Sequence, residues 1–194
     1  MRLVLASSSP RRIELLERLR LEFTSVSPEI DEARRPGETP GVYVERVARE
    51  KALSVVAPDT VVLAADTCVV YGGHVMGKPA HPAEARTMLD TLQGDVHEVF
   101  TGIAAAAGDE VRSLVDVTEV RMLAMTEHEI ADYIATGEPM GKAGAYALQG
   151  AGGEFVEEIR GSPFTVVGLP IHLIPRLLGQ VGFVVDRFRI TDPV

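Results

Sequence analysis

A single acidic residue inside an otherwise apolar stretch is the first candidate for chemistry in this sequence. Asp66 interrupts Val61–Tyr71, a run rich in valine and alanine that is typical of a buried central strand. A buried carboxylate must be paired, metal-bound or functional, because an isolated buried charge is very costly. Since an ordinary Asp has a pKa of about 3.9 and is a weak base at neutral pH, a divalent metal that acidifies an attacking water would make it effective. A structural Asp, bonded to nearby backbone or Arg, is the alternative.

A serine- and arginine-rich run near the N-terminus is the second candidate. Ser7–Arg12 follows the apolar run Leu3–Ala6 and precedes leucines at helical spacing, so we expect a strand that leads into a helix with Pro10 in its first turn. The N-terminus of a helix attracts anions through its free N–H groups and its dipole. The Ser9 hydroxyl and the guanidiniums of Arg11 and Arg12 would complete a phosphate cradle. A serine N-cap followed by two solvated arginines is the alternative.

Three lysines stand out because the chain carries sixteen arginines. Lys51, Lys78 and Lys142 can each supply a compact ammonium to a phosphate oxygen. Codon bias toward arginine, with three lysines retained by chance, is the alternative. Glu32 lies in an acidic stretch and offers a hard oxygen ligand for Mg²⁺, or belongs to a solvated loop. Gln149 ends a glycine-rich loop and can read the edge of a nucleobase, or cap the loop.

The elements that must position these residues alternate between strands and helices, with one hairpin around Gly108. This pattern predicts an α/β fold with a mixed sheet in one domain, residues 1–194. The predicted strands are Leu3–Ala6, Leu21–Val26, Val61–Tyr71, Val96–Ala107, Val111–Met122 and Glu154–Arg160. The predicted helices begin at Pro10, Pro40, Pro82, Thr126 and Leu169, and the last one ends at Leu178. Gly72–Lys78 fits the start of a P-loop, but Pro79 follows where a hydroxyl residue is needed, so we interpret these glycines as a hairpin turn.

Composition limits the partners. The net charge of −9 disfavours a protein that coats nucleic acid or an anionic membrane, although the first sixty residues are neutral overall. Cys68 is the only cysteine, which excludes an internal disulfide and fits a reducing compartment. The N-terminal apolar run is too short for a signal peptide, and prolines interrupt the apolar stretch Pro163–Val185. We therefore predict a cytoplasmic location, with no nucleic acid and no membrane as partner.

In their order and spacing, the motifs resemble those of the Maf family of nucleoside triphosphate pyrophosphatases, also known as septum-formation-inhibitor-like proteins. The resemblance extends from Leu3 to Leu178. The motifs that carry it are Ser7–Arg12, Ile30–Glu32, Ala48–Ala52, Ala65–Thr67, Gly77–Pro79, Gly137–Gly150 and Val167–Pro170. The resemblance implies a curved mixed β-sheet flanked by helices, with two lobes and a cleft, related to the fold of inosine triphosphate pyrophosphatases. It also implies a homodimer.

The resemblance further implies attack of water on the α-phosphate of a nucleoside triphosphate, with Mg²⁺ or Mn²⁺ as cofactor, giving a nucleoside monophosphate and pyrophosphate. Asp66 matches the family's proton acceptor and, with Glu32, its acidic positions near the metal. The phosphate-contacting positions match Ser9, Arg11, Arg12, Lys51 and Lys78. A non-catalytic nucleotide-binding regulator of cell division is the alternative function.

Three positions point to one branch of the family. Arg12, Thr67 and Gln149 match the branch that acts on dTTP and UTP, whereas a sister branch that acts on 7-methyl-GTP tends to show Trp, Gln and Glu there. The resemblance therefore implies that this protein hydrolyses dTTP and UTP.

Overall fold

The computed structural model describes residues 1–185, which form one seven-stranded mixed sheet with helices on both faces. The strands are β1 (Arg2–Ala6), β2 (Phe23–Val26), β3 (Thr60–Tyr71), β4 (His74–Met76), β5 (Val96–Ala107), β6 (Glu110–Met122) and β7 (Val156–Arg160). The helices are α1 (Pro10–Glu17), α2 (Pro40–Ser54), α3 (Pro82–Leu92), α4 (Glu127–Ala135), α5 (Pro163–Val167) and α6 (Ile174–Gly179). The strand order is β2-β1-β3-β5-β6-β7, and β4 pairs with β3.

The sheet combines parallel and antiparallel pairing. Strands β2, β1 and β3 are parallel neighbours, because α1 and α2 return the chain to the same edge. Strands β5, β6 and β7 continue the sheet in antiparallel order. This arrangement confirms the predicted α/β fold with a mixed sheet.

Local signals in the sequence explain where several elements begin. The Thr39 side chain caps α2 by accepting a hydrogen bond from Val42 N. Thr126 and Glu129 form a complete capping box at α4. Gly72 and Gly73, with φ of +56° and +79°, join β3 to β4 in a two-residue hairpin turn, as predicted in preference to a P-loop.

Two hydrophobic clusters follow one another on one face of the sheet. In the first, Leu63 of β3 and Ile103 of β5 pack with α1 and α6. In the second, Val69 and Val99 of the same two strands pack with α3 and α4. Strands β3 and β5 run through both clusters, and the predicted division into two lobes stays a prediction. Helix α2 covers the opposite face of the sheet.

The C-terminal part of the predicted helix pattern is wrong. The residues from Leu169 to Leu178 were expected to form one helix, but the structure has α5 before Pro170 and α6 after it. Pro170 disfavours helical backbone at the preceding residue, and α5 ends at Val167 with Gly168 as its C-cap. Strand β7 begins two residues later than predicted, because Ala151–Phe155 form a 3₁₀ helix.

The single-domain prediction for residues 1–194 includes residues 186–194, which lie outside the described part, and it stays a prediction. Among residues 1–185, no helix combines the length and the apolar character that crossing a membrane requires.

Candidate active site

A cleft of about 380 Å³ opens beside the end of β1 and the middle of β3. All nine residues of the predicted site border it: Ser9, Arg11, Arg12, Glu32, Lys51, Asp66, Thr67, Lys78 and Gln149. They come from sequence positions more than a hundred residues apart. The fold therefore gathers the whole predicted set in one place, and the role of each residue stays a prediction.

Asp66 lies on the face of β3 that α2 covers, and its charge is paired. Lys51 Nζ of α2 lies 2.8 Å from Asp66 Oδ1 and 3.0 Å from Glu32 Oε1. Asp66 and Lys51 are only 6% and 5% exposed, so this ion pair is shielded from water. Lys51, predicted to contact phosphate, thus holds two carboxylates that were predicted separately.

The loop that carries Glu32 is anchored to α2. Tyr43 donates its hydroxyl to the Glu32 carbonyl oxygen at 3.1 Å, and Arg46 Nη2 donates to the Ala33 carbonyl at 2.9 Å. Arg46 also binds the Glu38 carboxylate, and these hydrogen bonds lower the pKa of Glu38 to about 2. The backbone of an exposed acidic loop is therefore fixed beside the buried Asp66.

Thr67 lies on the opposite face of β3 and belongs to a chain of hydrogen bonds. Arg12 Nη2 donates to Thr67 Oγ1 at 3.1 Å, and Arg12 Nε donates to the Gly168 carbonyl at 2.8 Å. The hydroxyls of Thr67 and Thr101 are 2.9 Å apart, and Thr101 Oγ1 donates to the Thr165 carbonyl at 2.8 Å. Two of the three positions predicted to distinguish the branches, Arg12 and Thr67, are therefore in direct contact.

Gly168 allows this contact. Its φ is +107°, and a Cβ atom there would lie 3.0 Å from Thr67 Oγ1 and 3.5 Å from Arg12 Nε. A larger residue would be strained and would crowd both side chains.

The cations around the cleft are partly stripped of water. Burial lowers the pKa of Arg11, Arg12 and Lys142, and the neighbouring Arg11 lowers that of Lys142 further. Asp66 opposes the effect of burial on Arg12. Cations in this condition gain from an anionic ligand, which replaces the solvation they have lost. The cleft is therefore suited to a compact polyanion.

Ser9 occupies the predicted N-cap position of α1, but its side chain caps nothing in the helix. The Ser9 N–H instead donates to Ser7 Oγ at 3.1 Å.

Lys78 and Gln149 border the cleft from two other segments of the chain. Lys78 is exposed and follows β4, where the neighbouring Gly77 carbonyl accepts a hydrogen bond from Gly144 N at 3.1 Å. Gln149 is also exposed, in the glycine-rich loop. This hydrogen bond attaches the segment that carries Lys78 to the loop that carries Gln149.

Glu138 anchors the glycine-rich loop, a role that sequence reasoning missed. Its carboxylate accepts hydrogen bonds from Gly152 N at 2.9 Å, Ala151 N at 3.1 Å and Tyr133 Oη at 2.8 Å. Burial raises the pKa of Glu138, but these donors outweigh burial and the net shift is downward. The available signal was that Glu138 is the only acid between residues 137 and 150.

An apolar wall flanks Thr67 inside the cleft, and sequence reasoning did not assign it to the site. Its members are Val69, Val99, Val166, Val167 and Tyr146. Tyr146 is held by His97, whose Nε2 lies 2.8 Å from the Tyr146 hydroxyl. Such a surface accommodates a flat, largely apolar ring.

The donor set fits the expected divalent metal. Asp66 Oδ1 and Glu32 Oε1 both lie within 3.0 Å of Lys51 Nζ, so two hard oxygen ligands come close together beside the cleft. The described residues contain no cluster of three or more His, Cys, Asp or Glu side chains. Mg²⁺ typically binds one or two protein carboxylates and completes its shell with phosphate oxygens and water.

Cys68 is a core residue. It is 2% exposed, and burial together with the nearby Asp66 raises the pKa of its thiol to about 12. A thiol in this state is a poor nucleophile.

Comparison with known proteins identifies the family. Residues 2–181 match the family model of Maf-like proteins. The chain is 52% identical to the dTTP/UTP pyrophosphatase of Anaeromyxobacter dehalogenans (strain 2CP-C), over 94% of this chain and 95% of that protein. It is 45% identical to the dTTP/UTP pyrophosphatase of Pseudoalteromonas atlantica, over 93% of this chain and 97% of that protein.

A solved structure, that of the Staphylococcus aureus Ham1 protein, is similar over 74% of this chain and 81% of that one, with 15% identity and a TM-score of 0.47. The expected relation to inosine triphosphate pyrophosphatases stays a prediction. The match over residues 2–181 and the two relatives at 45% and 52% identity show that this chain belongs to the Maf-like protein family.

Proposed function

We propose that this protein is a nucleoside triphosphate pyrophosphatase that converts dTTP and UTP to the nucleoside monophosphate and pyrophosphate. The observation that carries the proposal is the shared cleft: a buried Asp66–Lys51–Glu32 cluster and the Arg12–Thr67 contact border the same cavity. The names of the relatives with 45–52% identity support the same substrates.

Asp66 is proposed as the general base. Its carboxylate accepts the proton as a water molecule attacks the α-phosphorus and the bond to the bridging oxygen of pyrophosphate breaks. Lys51 Nζ offsets the charge of Asp66 beside the negative phosphates. Because Asp66 sits in a strand at the centre of the sheet, its position is rigid.

Glu32 and Asp66 are the residues that would hold Mg²⁺ or Mn²⁺. When bound, such an ion polarises phosphate oxygens and lowers the pKa of a coordinated water. Ser9, Arg11 and Lys78 would bind the triphosphate, and Lys142, the third lysine noted in the sequence, adds a further cation. Together these groups offset the charge that develops on the departing pyrophosphate.

The experiment is a product assay with the purified protein, Mg²⁺ and a panel of nucleoside triphosphates. We expect UMP and pyrophosphate from UTP, and TMP and pyrophosphate from dTTP. Release of nucleoside diphosphate and orthophosphate would contradict the proposal. Nucleotide binding without turnover would favour the non-catalytic regulator instead.

We also propose a cytoplasmic homodimer. The apolar side chains Val26, Val42 and Leu53 are exposed and are available for a contact between copies. Light scattering on the purified protein tests this, and a mass near 20.9 kDa at micromolar concentration would contradict it.

A further inference from the structure

Thr101 is the buried partner of Thr67 and does not border the cleft. It is 0% exposed and lies directly opposite Thr67 where β5 pairs with β3. On this face of the sheet the two threonines separate the two hydrophobic clusters, since their neighbours two residues away are Ala65, Val69, Val99 and Ile103. A pair of hydroxyls therefore forms a narrow polar layer within an apolar core.

The hydrogen bonds in this layer have one direction. The Thr165 carbonyl can only accept, so the single hydroxyl hydrogen of Thr101 is committed to it at 2.8 Å. Thr101 Oγ1 must then accept from Thr67, whose own hydrogen is consequently turned away from the cleft. Arg12 Nη2 donates to one remaining lone pair of Thr67. Thr67 can accept one more hydrogen bond from a ligand, but it can donate none.

The end of this chain of hydrogen bonds is itself fixed. The Thr165 hydroxyl donates to Asp116 of β6, which anchors the first turn of α5. The nearby Gly168 carbonyl is held by Arg12 Nε at 2.8 Å. The direction therefore follows from backbone and core positions and not from a mobile side chain.

We propose that Thr101 is a positioning residue for substrate choice: it holds Thr67 as an acceptor, so that the cleft favours a nucleobase that presents a donor there. This inference rests on the proposed function. Uracil and thymine carry an N3–H donor, whereas cytosine has an N3 acceptor at the same position. The apolar wall beside Thr67, which includes Val69 and Val99, suits a pyrimidine ring. A polar group that is left unpaired in such a site costs binding free energy, and this cost discriminates against cytosine.

The test compares kcat/KM for UTP and for CTP in the parent and in Thr101→Val. The valine keeps the shape of threonine but removes the acceptor for the Thr67 hydrogen, which can then turn toward the cleft and donate. We expect the UTP/CTP ratio of kcat/KM to fall about tenfold. An unchanged ratio in Thr101→Val would overturn the inference.

Two variants separate positioning from loss of core structure. Thr101→Ser keeps the hydroxyl, so it should restore the parent ratio within about twofold. Thr118→Val is the matched control, because Thr118 is also 0% exposed and donates to a backbone carbonyl, that of Ser162, but does not contact Thr67. If Thr118→Val lowers the ratio as much as Thr101→Val does, the effect is a general core effect and the inference is wrong.

Should Thr101→Val not fold, Thr101→Cys takes its place, since a thiol fits the site and is a weak hydrogen-bonding group. The two failures are distinguishable. A parent protein that yields no monophosphate and pyrophosphate from UTP would refute the proposed function and, with it, this inference. A parent that does so, combined with an unchanged ratio in the Thr101 variants, would refute the inference alone.

Discussion

Two successive residues of β3 show how one strand supports two kinds of polar site. Asp66 lies on the face toward α2 and meets Lys51 and Glu32, which are charged partners. Thr67 lies on the opposite face and meets Thr101 and Arg12 through a directed chain of hydrogen bonds. The alternation of side chains along a strand produces this separation within a single step.

The difference shows what each face can do. The charged cluster of Asp66 can exchange one cation for another, because Coulomb attraction has little directional demand. The hydrogen bonds that join Arg12, Thr67 and Thr101 cannot change partners without leaving a buried hydroxyl or carbonyl unpaired. The Asp66 cluster is therefore suited to a reaction in which charge changes. The hydrogen bonds of Thr67 are suited to recognition of a fixed pattern of donors and acceptors. The four predictions that follow test this contrast.

The largest expected effect is on the face of β3 that carries Asp66. Asp66→Asn keeps the shape of the side chain but removes the base, so turnover of UTP should fall by about 10³-fold. The fold should persist, because Lys51 retains Glu32 as a partner. Far-ultraviolet circular dichroism and the product assay check both statements. Asp95→Asn, which changes an exposed acid outside the cleft, is the control and should retain activity. Retained activity in Asp66→Asn would exclude Asp66 as the base.

A pH titration of stability examines the face of the sheet that carries Thr67 and Thr101. His97 lies on the same face as Thr101 and is 2% exposed, and burial lowers its pKa to about 4 from an ordinary 6.5. As the pH falls from 6.5 to 4, the unfolded chain binds a proton that the folded His97 does not. The free energy of unfolding should therefore drop by about 3 kcal/mol across this window.

His97→Phe removes this titration, so its stability relative to the parent should rise as the pH falls from 6.5 to 4. Urea denaturation at several pH values measures the difference. His128→Phe, which changes an exposed histidine, is the control. Parallel pH profiles for the parent and His97→Phe would contradict the expectation.

Gly168→Ala tests the close packing of Gly168 against Thr67 and Arg12. The φ of +107° and the short distance to Thr67 should cost about 2 kcal/mol in the free energy of unfolding. Gly179→Ala, where the added methyl meets nothing within 4 Å and φ is not positive, should change it by less than about 0.5 kcal/mol. Equal effects of the two substitutions in urea denaturation would show that Gly168 is not constrained as described.

The smallest expected effect concerns Glu32, the exposed acid that contacts Lys51. Glu32→Gln keeps a hydrogen-bonding group but removes one proposed metal ligand, so the Mg²⁺ concentration for half-maximal activity should rise about tenfold. Glu29→Gln alters an exposed acid of the same loop that does not border the cleft, and it should leave this concentration unchanged. If both variants behave alike, Glu32 contributes only general negative charge.

The elements with clear local signals were predicted well from the sequence. Strand β5 was predicted with the bounds that the structure shows, and the start of α3 at Pro82, after His81, was predicted as well. The C-terminal helices were not, because evenly spaced apolar residues concealed the break at Pro170. The start of α5 at Pro163 was also missed, although Ser162 precedes it.

For the site, the sequence indicated the residue types but not their partners. Asp66, Glu32 and Lys51 were selected one by one, and their mutual ion pairs depend on how α2 packs against the sheet. Thr101 carried no signal at all, because its role depends on which residue of β5 lies opposite Thr67. Glu138 was missed for the same reason, since its partners belong to a loop that folds back on it.

The threonine pair also has a consequence for folding. Strand β5 ends in four successive alanines, so apolar patterning alone specifies its alignment with β3 only weakly. A slip of two residues would place Thr67 opposite Val99 or Ile103 and bury two hydroxyls without partners. The same pair of side chains that orients a hydrogen bond at the cleft therefore also selects the correct register of the two central strands.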